Sequence, residues 1–391
     1  MPHRLTMFWC MLLIGFVLCL PGQLDSTAQE GMPLISDVCP VARVQQHTSE
    51  FDGQGIILTY FDRFNIWAYD IQRNARYPLP ETAPCGTNCH LSPDGRWFSF
   101  LDSTRRIFSK MRLNGAERTP LALYATEVSW WNEETLLVWT PTQDAYLRPE
   151  DGSNIIPLET RGIVSLQPGG KWAQRLEQRG DHFARVLVAI DVSGAMADTS
   201  ERIELGLDRP YFNAASWSPD GHWLAFTAPL MTGNTGEAVS AEIFGIEPDS
   251  GMATAWTDLT AHYGPIRING HAPSLLSWSP DNSRIAFWVI PLTGPDPETD
   301  TALASIHIFD VASGLLTRYC GFHTDEHTPN PPRLIWSPDG SYLAFGANLP
   351  NDERGYMLLT LDTRTGTFTE LSAGLYPALG NADVIAWGLA P

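Results

Sequence analysis

The chain has 391 residues, 43% of them hydrophobic, and is rich in aromatics, with 14 Trp, 11 Tyr and 17 Phe. Its 25 Lys and Arg against 44 Asp and Glu give a net charge of −19, a field that repels phosphate backbones and anionic lipid and excludes nucleic acid as an expected partner. Thirty Pro and 32 Gly, with no long helical period, point to many short strands joined by turns.

The first element is a leader. Arg4 supplies an early positive charge, residues 7–20 form an unbroken apolar run (MFWCMLLIGFVLCL), and Pro21-Gly22 ends it. That layout is a secretory signal, and 14 residues fall short of the roughly 20 that a membrane span needs. Residues 1–28 are therefore expected to be a signal peptide, with a retained signal anchor as the alternative. Residues 29–54 read as an N-terminal extension and 55–391 as one β domain, secreted or periplasmic. If the leader stays uncleaved, it is the expected membrane contact. Beyond it the chain keeps Cys39, Cys85, Cys89 and Cys320. An even count in an exported chain predicts disulfides. One of three pairings joins Cys85 to Cys89 across a short loop and Cys39 to Cys320; four free thiols are the alternative.

Residues 55–60, 65–70 and 75–79 read as three strands with no partner strand before them. From Cys89 onward a phrase then recurs: CHLSPDGRWFSF at Cys89, ASWSPDGHWLAF at Ala215, LSWSPDNSRIAF at Leu276 and LIWSPDGSYLAF at Leu334. Decayed copies stand at Val128 (VSWWNEETLLVW) and Val164 (VSLQPGGKWAQR). The residue before the Ser position serves as a marker: Leu91, Trp130, Leu166, Trp217, Trp278 and Trp336, at intervals of 39, 36, 51, 61 and 58. Each unit reads as strand, tight turn, strand, then two further strands around a Gly turn such as Gly314 or Gly366. Four strands in roughly 40–50 residues is the plan of a β-propeller blade. The last strand, Val384 to Trp387, matches the first strand of a unit and completes the incomplete blade at residues 55–79. The fold class is thus all-β, a seven-bladed propeller whose terminal strand closes the first blade. Six blades is the alternative, if the weak units at Trp130 and Leu166 merge.

Within each repeat, Asp94, Asp220, Asp281 and Asp339 are expected to accept hydrogen bonds from their own turns, and Gly95, Gly221 and Gly340 to supply positive φ, with Asn282 in the Gly position. A role needed in every blade is structural; a catalytic acid is needed once or twice. Trp217, Trp278, Trp336 and Trp387 are read as strand-packing residues in the same way.

These units resemble TolB-type β-propellers, through Trp217-Ser-Pro-Asp-Gly221 with Leu224-Ala-Phe226, Trp278-Ser-Pro-Asp281 with Ile285-Ala-Phe287, and Trp336-Ser-Pro-Asp-Gly340 with Leu343-Ala-Phe345. The resemblance covers most of the chain and implies the propeller fold. TolB also carries an N-terminal α/β domain that engages partners, for which the span before residue 55 leaves no room, so those partners do not carry over.

Chemical motifs are sparse. The sequence contains no Gly-x-Ser-x-Gly elbow and no phosphate loop. His323 and His327 stand four apart near Cys320, but in a Pro-rich segment that fixes no ligand geometry, so no metal and no cofactor is expected. The largest loops are expected at residues 229–241, 260–274, 294–301 and 321–332, on one side of the ring. Tyr263, His271, Phe322, His323 and His327 are the candidate contacts there, for an envelope or extracellular protein or peptide. A channel-mouth hydrolase or lyase acting on a sugar or peptide, and a purely structural propeller, are the competing expectations. The sequence does not indicate an oligomeric state.

Overall fold

The computed structural model describes residues 35–39, 44–46, 51–60, 65–83, 88–142, 144–158, 162–193, 201–232, 237–269, 276–324, 331–348, 356–371 and 383–391. Their strands form seven sheets, the blades of a closed propeller. Blade 1 joins the two ends of the chain: Asp383–Gly388 is its inner strand, followed outward by Ile56–Tyr60, Ile66–Asp70 and Ala75–Leu79. Blade 2 runs Trp97–Leu101, Ile107–Arg112 and Thr119–Leu123, with Leu91 bridged to Phe98 as its inner rung. Blade 3 runs from Glu127–Trp130 to Ile156–Leu158, blade 4 from Ile163–Leu166 to Arg202–Asp208, blade 5 from Ala215–Trp217 to Met252–Ala255, blade 6 from Ser277–Trp278 to Leu316–Thr324, and blade 7 from Ile335–Trp336 to Phe368–Glu370. The two decayed units each form their own blade, which rules out the six-bladed alternative.

The core explains the count. Buried apolar residues fall into seven clusters, one in each gap between neighbouring blades. The cluster that closes the ring brings Tyr342, Ala344 and Leu358 of blade 7 against Ile57, Tyr69, Val384 and Trp387 of blade 1. Strands apolar on both faces, such as Arg284–Pro291, arise because each blade is covered on both sides.

The repeated turn has one hydrogen-bond pattern. In blade 2 the Ser92 hydroxyl donates to Asp94 Oδ1 at 2.5 Å, the amide of Arg96 donates to the same oxygen, and the amide of Trp97 donates to Ser92 Oγ. The same three bonds recur at Ser218 and Asp220, Ser279 and Asp281, and Ser337 and Asp339. Asn282 occupies the glycine position at φ 62°, where a glycine or asparagine is tolerated best. The marker tryptophans reach sideways: the indole of Trp336 donates to Ser277 O at 2.9 Å, that of Trp278 to Ser216 O at 3.1 Å, and that of Trp217 to Ser165 Oγ at 3.2 Å. Each thus staples its blade to the preceding one. Trp387 donates to Gln54 O instead, tying the closing strand to the start of the domain.

Blades 6 and 7 are larger than four strands. Ile35–Val38 pairs in parallel with the outer strand Leu316–Thr324 of blade 6, and Gln45–Gln46 pairs in parallel with Phe368–Glu370 of blade 7. The extension is therefore a strap across two outer edges, which protects them from pairing with another chain. Cys39 and Cys320 form a disulfide at its centre, Asp37 pairs with Arg318 at 2.7 Å, and Asp52 accepts from the Tyr342 hydroxyl. Cys89 is also disulfide-bonded, and Cys85 lies outside the described residues.

Candidate functional site

Strands alternate in direction within a blade. The motif turns, first strand to second, therefore share one end of the ring with the third-to-fourth turns. The second-to-third turns and the blade-to-blade connections share the other end. The four segments expected as long loops all belong to this second end, which is called the loop end below.

Much of what reads as loop there is regular structure. The second and third strands of blade 5, Leu224–Met231 and Ala238–Glu247, run 8 and 10 residues and extend well into 229–241, whereas the matching strands of blade 1 have 5 each. Residues 260–274 contain most of the short helix Leu259–Tyr263 and the strand Ile266–Ile268. That helix is held from below by Glu242, a buried carboxylate that accepts the amides of Leu259 and Thr260 and the Thr257 hydroxyl, each at 2.7 Å.

The candidate contacts separate accordingly. Phe322 lies on the strand Leu316–Thr324, not in a loop, and is buried in the core between blades 6 and 7, because the strand continues for several residues past Tyr319. His323 follows on the same strand, partly buried, and that burial lowers its pKa. Tyr263 ends its helix half-buried, its hydroxyl 2.8 Å from Nε2 of His307. The His307 Nδ1 lies 3.2 Å from the Ser305 carbonyl, which can only accept, so Nε2 is the acceptor for Tyr263. Burial pushes the His307 pKa down to about 3, which keeps the imidazole neutral. His271 and His327 lie outside the described residues. Among the described residues no cluster of His, Cys, Asp and Glu is arranged to hold a metal ion, and no helix is long and apolar enough to cross a membrane.

The feature that the loop end surrounds is a cavity of about 320 Å³ in the channel. Its walls come from the inner strands of five blades, with Ile385 from blade 1, Leu91 from blade 2, Trp217 from blade 5, Trp278 from blade 6 and Leu334 from blade 7. Pro331 and Pro332 line it on the loop-end side, and Pro219 of the blade 5 motif turn on the other. The carbonyl of Pro332 is fixed by the indole of Trp288 at 2.7 Å, and the Asn269 side chain accepts the Trp288 amide at 2.8 Å. The inner edge of blade 6 is split here. Ile266–Ile268 pairs with the upper part of Arg284–Pro291 and Ser277–Trp278 with the lower part, and Asn269 and Leu276 both line the cavity. His90, Ser216, Asn269, Ser277 and Arg333 are the polar residues of the lining, and His90 stands 3.0 Å from Glu127 Oε1.

His90, Glu127 and Asn269 were not singled out from the sequence. The signal was present in the repeat itself. The position before the marker lines the cavity in four blades, where it is held by His90, Ser216, Ser277 and Ile335. A histidine where two sister copies carry serine marks blade 2 as different.

No protein-family model matches the chain, and no curated protein matches it. Among solved structures it is similar to a protein of unknown function from Desulfotomaculum acetoxidans, with 13% identity, a TM-score of 0.49, and coverage of 85% of this chain and 99% of that one. TolB from Acinetobacter baumannii is similar at 11% identity and a TM-score of 0.41, covering 92% and 98%. Hydrazine synthase from Kuenenia stuttgartiensis is similar at 15% identity and a TM-score of 0.42, covering 74% and 79%. At such identities the likeness is to the propeller architecture, and no functional argument rests on it.

Proposed function

We propose that this propeller is an extracytoplasmic interaction module that captures a protein or peptide at the loop end, by admitting an apolar side chain of the partner into the channel cavity. The observation that carries the reading is the cavity of about 320 Å³ walled by Trp217, Trp278, Leu91, Leu334 and Ile385, with His90, Ser216, Asn269, Ser277 and Arg333 as the polar residues among them. Binding pockets have this character, apolar walls with a small number of orienting polar groups, and volumes of roughly 300–1,000 Å³. The size suits one side chain or a short extended segment, not a polymer threading the ring. The disulfide between Cys39 and Cys320 and the leader support export to an oxidising compartment.

Ser277 tests the reading, because its side chain lines the cavity while its carbonyl alone is used by Trp336. The variant Ser277→Tyr should fold with an unchanged thermal midpoint and lose capture of the native partner from an envelope extract. Undiminished capture by Ser277→Tyr contradicts the proposal.

The His90 and Glu127 pair favours a second reading, a hydrolase or lyase in the channel, because a carboxylate at 3.0 Å orients an imidazole for general-base work. Turnover of a peptide or glycan library abolished by His90→Ala would select that reading. Binding without turnover selects the first.

A further inference from the structure

Blade 3 departs from the repeat in a way that frees chemistry at the opposite end of the ring. Across its turn Trp130 faces Leu136, whereas Trp217 faces Leu224 and Trp278 faces Ile285, so the blade 3 turn is one residue shorter. The Trp130 indole consequently makes no staple to blade 2. It donates to Glu150 Oε1 of its own blade at 3.3 Å. Asn132 does the capping that Asp performs elsewhere, accepting the amides of Glu134 and Thr135 at 3.0 and 2.8 Å. The carboxylates of Glu133 and Glu134 are left exposed.

These groups meet the motif turn of blade 2 in a groove of about 250 Å³, walled by Trp97 and Trp130 and edged by Asp94, Glu133, Glu134 and Glu150. Its blade 2 side already holds cations of the protein itself. Lys110 Nζ sits 4.6 Å from the ring centre of Trp97 and 2.6 Å from Glu150 Oε2, and the Arg112 guanidinium stacks on Trp97 at 3.9 Å. The blade 3 side repeats the same chemistry, an indole beside carboxylates. Among the described residues no Lys or Arg is paired with Glu133 or Glu134.

We propose that this groove between blades 2 and 3 is a binding site for an organic cation, an alkylated ammonium or a guanidinium, held against Trp130 by its π face and by Glu133 and Glu134. An indole attracts such a cation through its quadrupole, and partial enclosure between two blades strengthens the contact over that at an open surface. Carboxylates alone would serve a small inorganic cation equally well. The Trp130 indole selects for a cation with carbon around its charge. The proposal does not rest on the channel cavity, with which the groove shares no lining residue.

The same chemistry is carried by a free quaternary amine and by a basic side chain of a peptide, so the test uses both. The disulfide-intact propeller is titrated calorimetrically with choline and with N-acetyl-arginine amide, against sodium chloride of equal ionic strength. Wild type should bind at least one probe with saturation at one site. Affinity should fall by about tenfold or more in Trp130→Leu and in the double variant Glu133→Gln, Glu134→Gln. The double variant alters two exposed side chains only, so its thermal midpoint should not move. Preference for choline assigns the site to a free amine; preference for the arginine probe assigns it to a peptide side chain. No saturable binding of either probe, or equal affinity in wild type and the double variant, overturns the proposal. The response of Ser277→Tyr in partner capture is independent of both outcomes.

Discussion

Blades 5 to 7 and blades 2 and 3 are built on the same repeat and spend its residues differently. In blades 5 to 7 the marker is a tryptophan that staples each blade to the one before it, at 2.9 to 3.2 Å, and its ring is buried. In blade 2 the marker is Leu91, and in blade 3 Trp130 turns to its own blade. Strand lengths divide along similar lines, with central strands of 8 and 10 residues in blade 5 against 5 in blade 3. The comparison teaches that the motif is a fastening device. Where it is intact the marker indole N–H is spent on fastening one blade to the next, and in blade 3, where the turn has eroded, it stays within its own blade.

The comparison breaks most visibly at ring closure. Truncation after Asn381 removes Asp383–Gly388, and with it the burial of Val384, Ile385 and Trp387 in the gaps on either side of blade 1. Each large apolar side chain is worth roughly 1.5–3 kcal/mol when fully buried. A domain has only about 5–15 kcal/mol in all. The truncated chain should be insoluble or fall to limited proteolysis, measured beside the parent; a soluble product with the parent's midpoint would show that blade 1 closes without this strand.

A smaller loss is expected from the strap. The Cys39–Cys320 bridge spans 281 residues, and removing a disulfide of this kind costs about 2–5 kcal/mol. The double variant Cys39→Ser, Cys320→Ser should unfold at lower temperature, and protease should cut first within residues 35–46. Cleavage first in blade 3 would mean that the strap is held by its parallel pairing alone.

The motif turns also predict the acid limb of stability. Burial raises the carboxyl pKa of Asp281 and of Asp339, but hydrogen bonds from the Ser279 and Ser283 groups, and from Ser337 and Ser341, outweigh it, so both lie below the ordinary carboxylate value. A depressed folded pKa contributes stability that is present above the unfolded value of about 3.9 and is lost as pH falls through the folded one. Asp339→Asn should therefore lower the unfolding midpoint at pH 7 by an amount worth about 1 kcal/mol, with the gap to wild type narrowing below about pH 4. A gap that widens in acid would contradict the sign.

The fold was largely legible because the repeat is local. Ser, Pro, Asp and Gly act within one turn, so their order in the sequence is their geometry in space. The closing strand was legible for the same reason, since Val384 to Trp387 matches the start of a unit. The strap was not: Ile35–Val38 has no partner nearby in sequence, and its pairing with Leu316–Thr324 is a contact across nearly the whole chain. Cys39 and Cys320 carried the only hint of it. The loop end was misjudged where turn residues sit above strands that simply continue. Phe322 is the clearest case, a core residue in a stretch whose Gly and Pro content suggested a loop. His90 was overlooked because a single histidine in a motif draws attention only when the copies are aligned position by position.

The central claim, that intact markers fasten the ring and the eroded marker does not, is tested most directly by one pair of substitutions. Trp278→Leu and Trp130→Leu remove the same side chain from the same position of two blades. Trp278 is buried and bonded to blade 5, so its loss should lower stability by about 3 kcal/mol in equilibrium urea unfolding. Trp130 is partly exposed and bonded only within its own blade, so its loss should cost about 1 kcal/mol or less. Equal losses at the two positions, or a larger one at Trp130, would contradict the account.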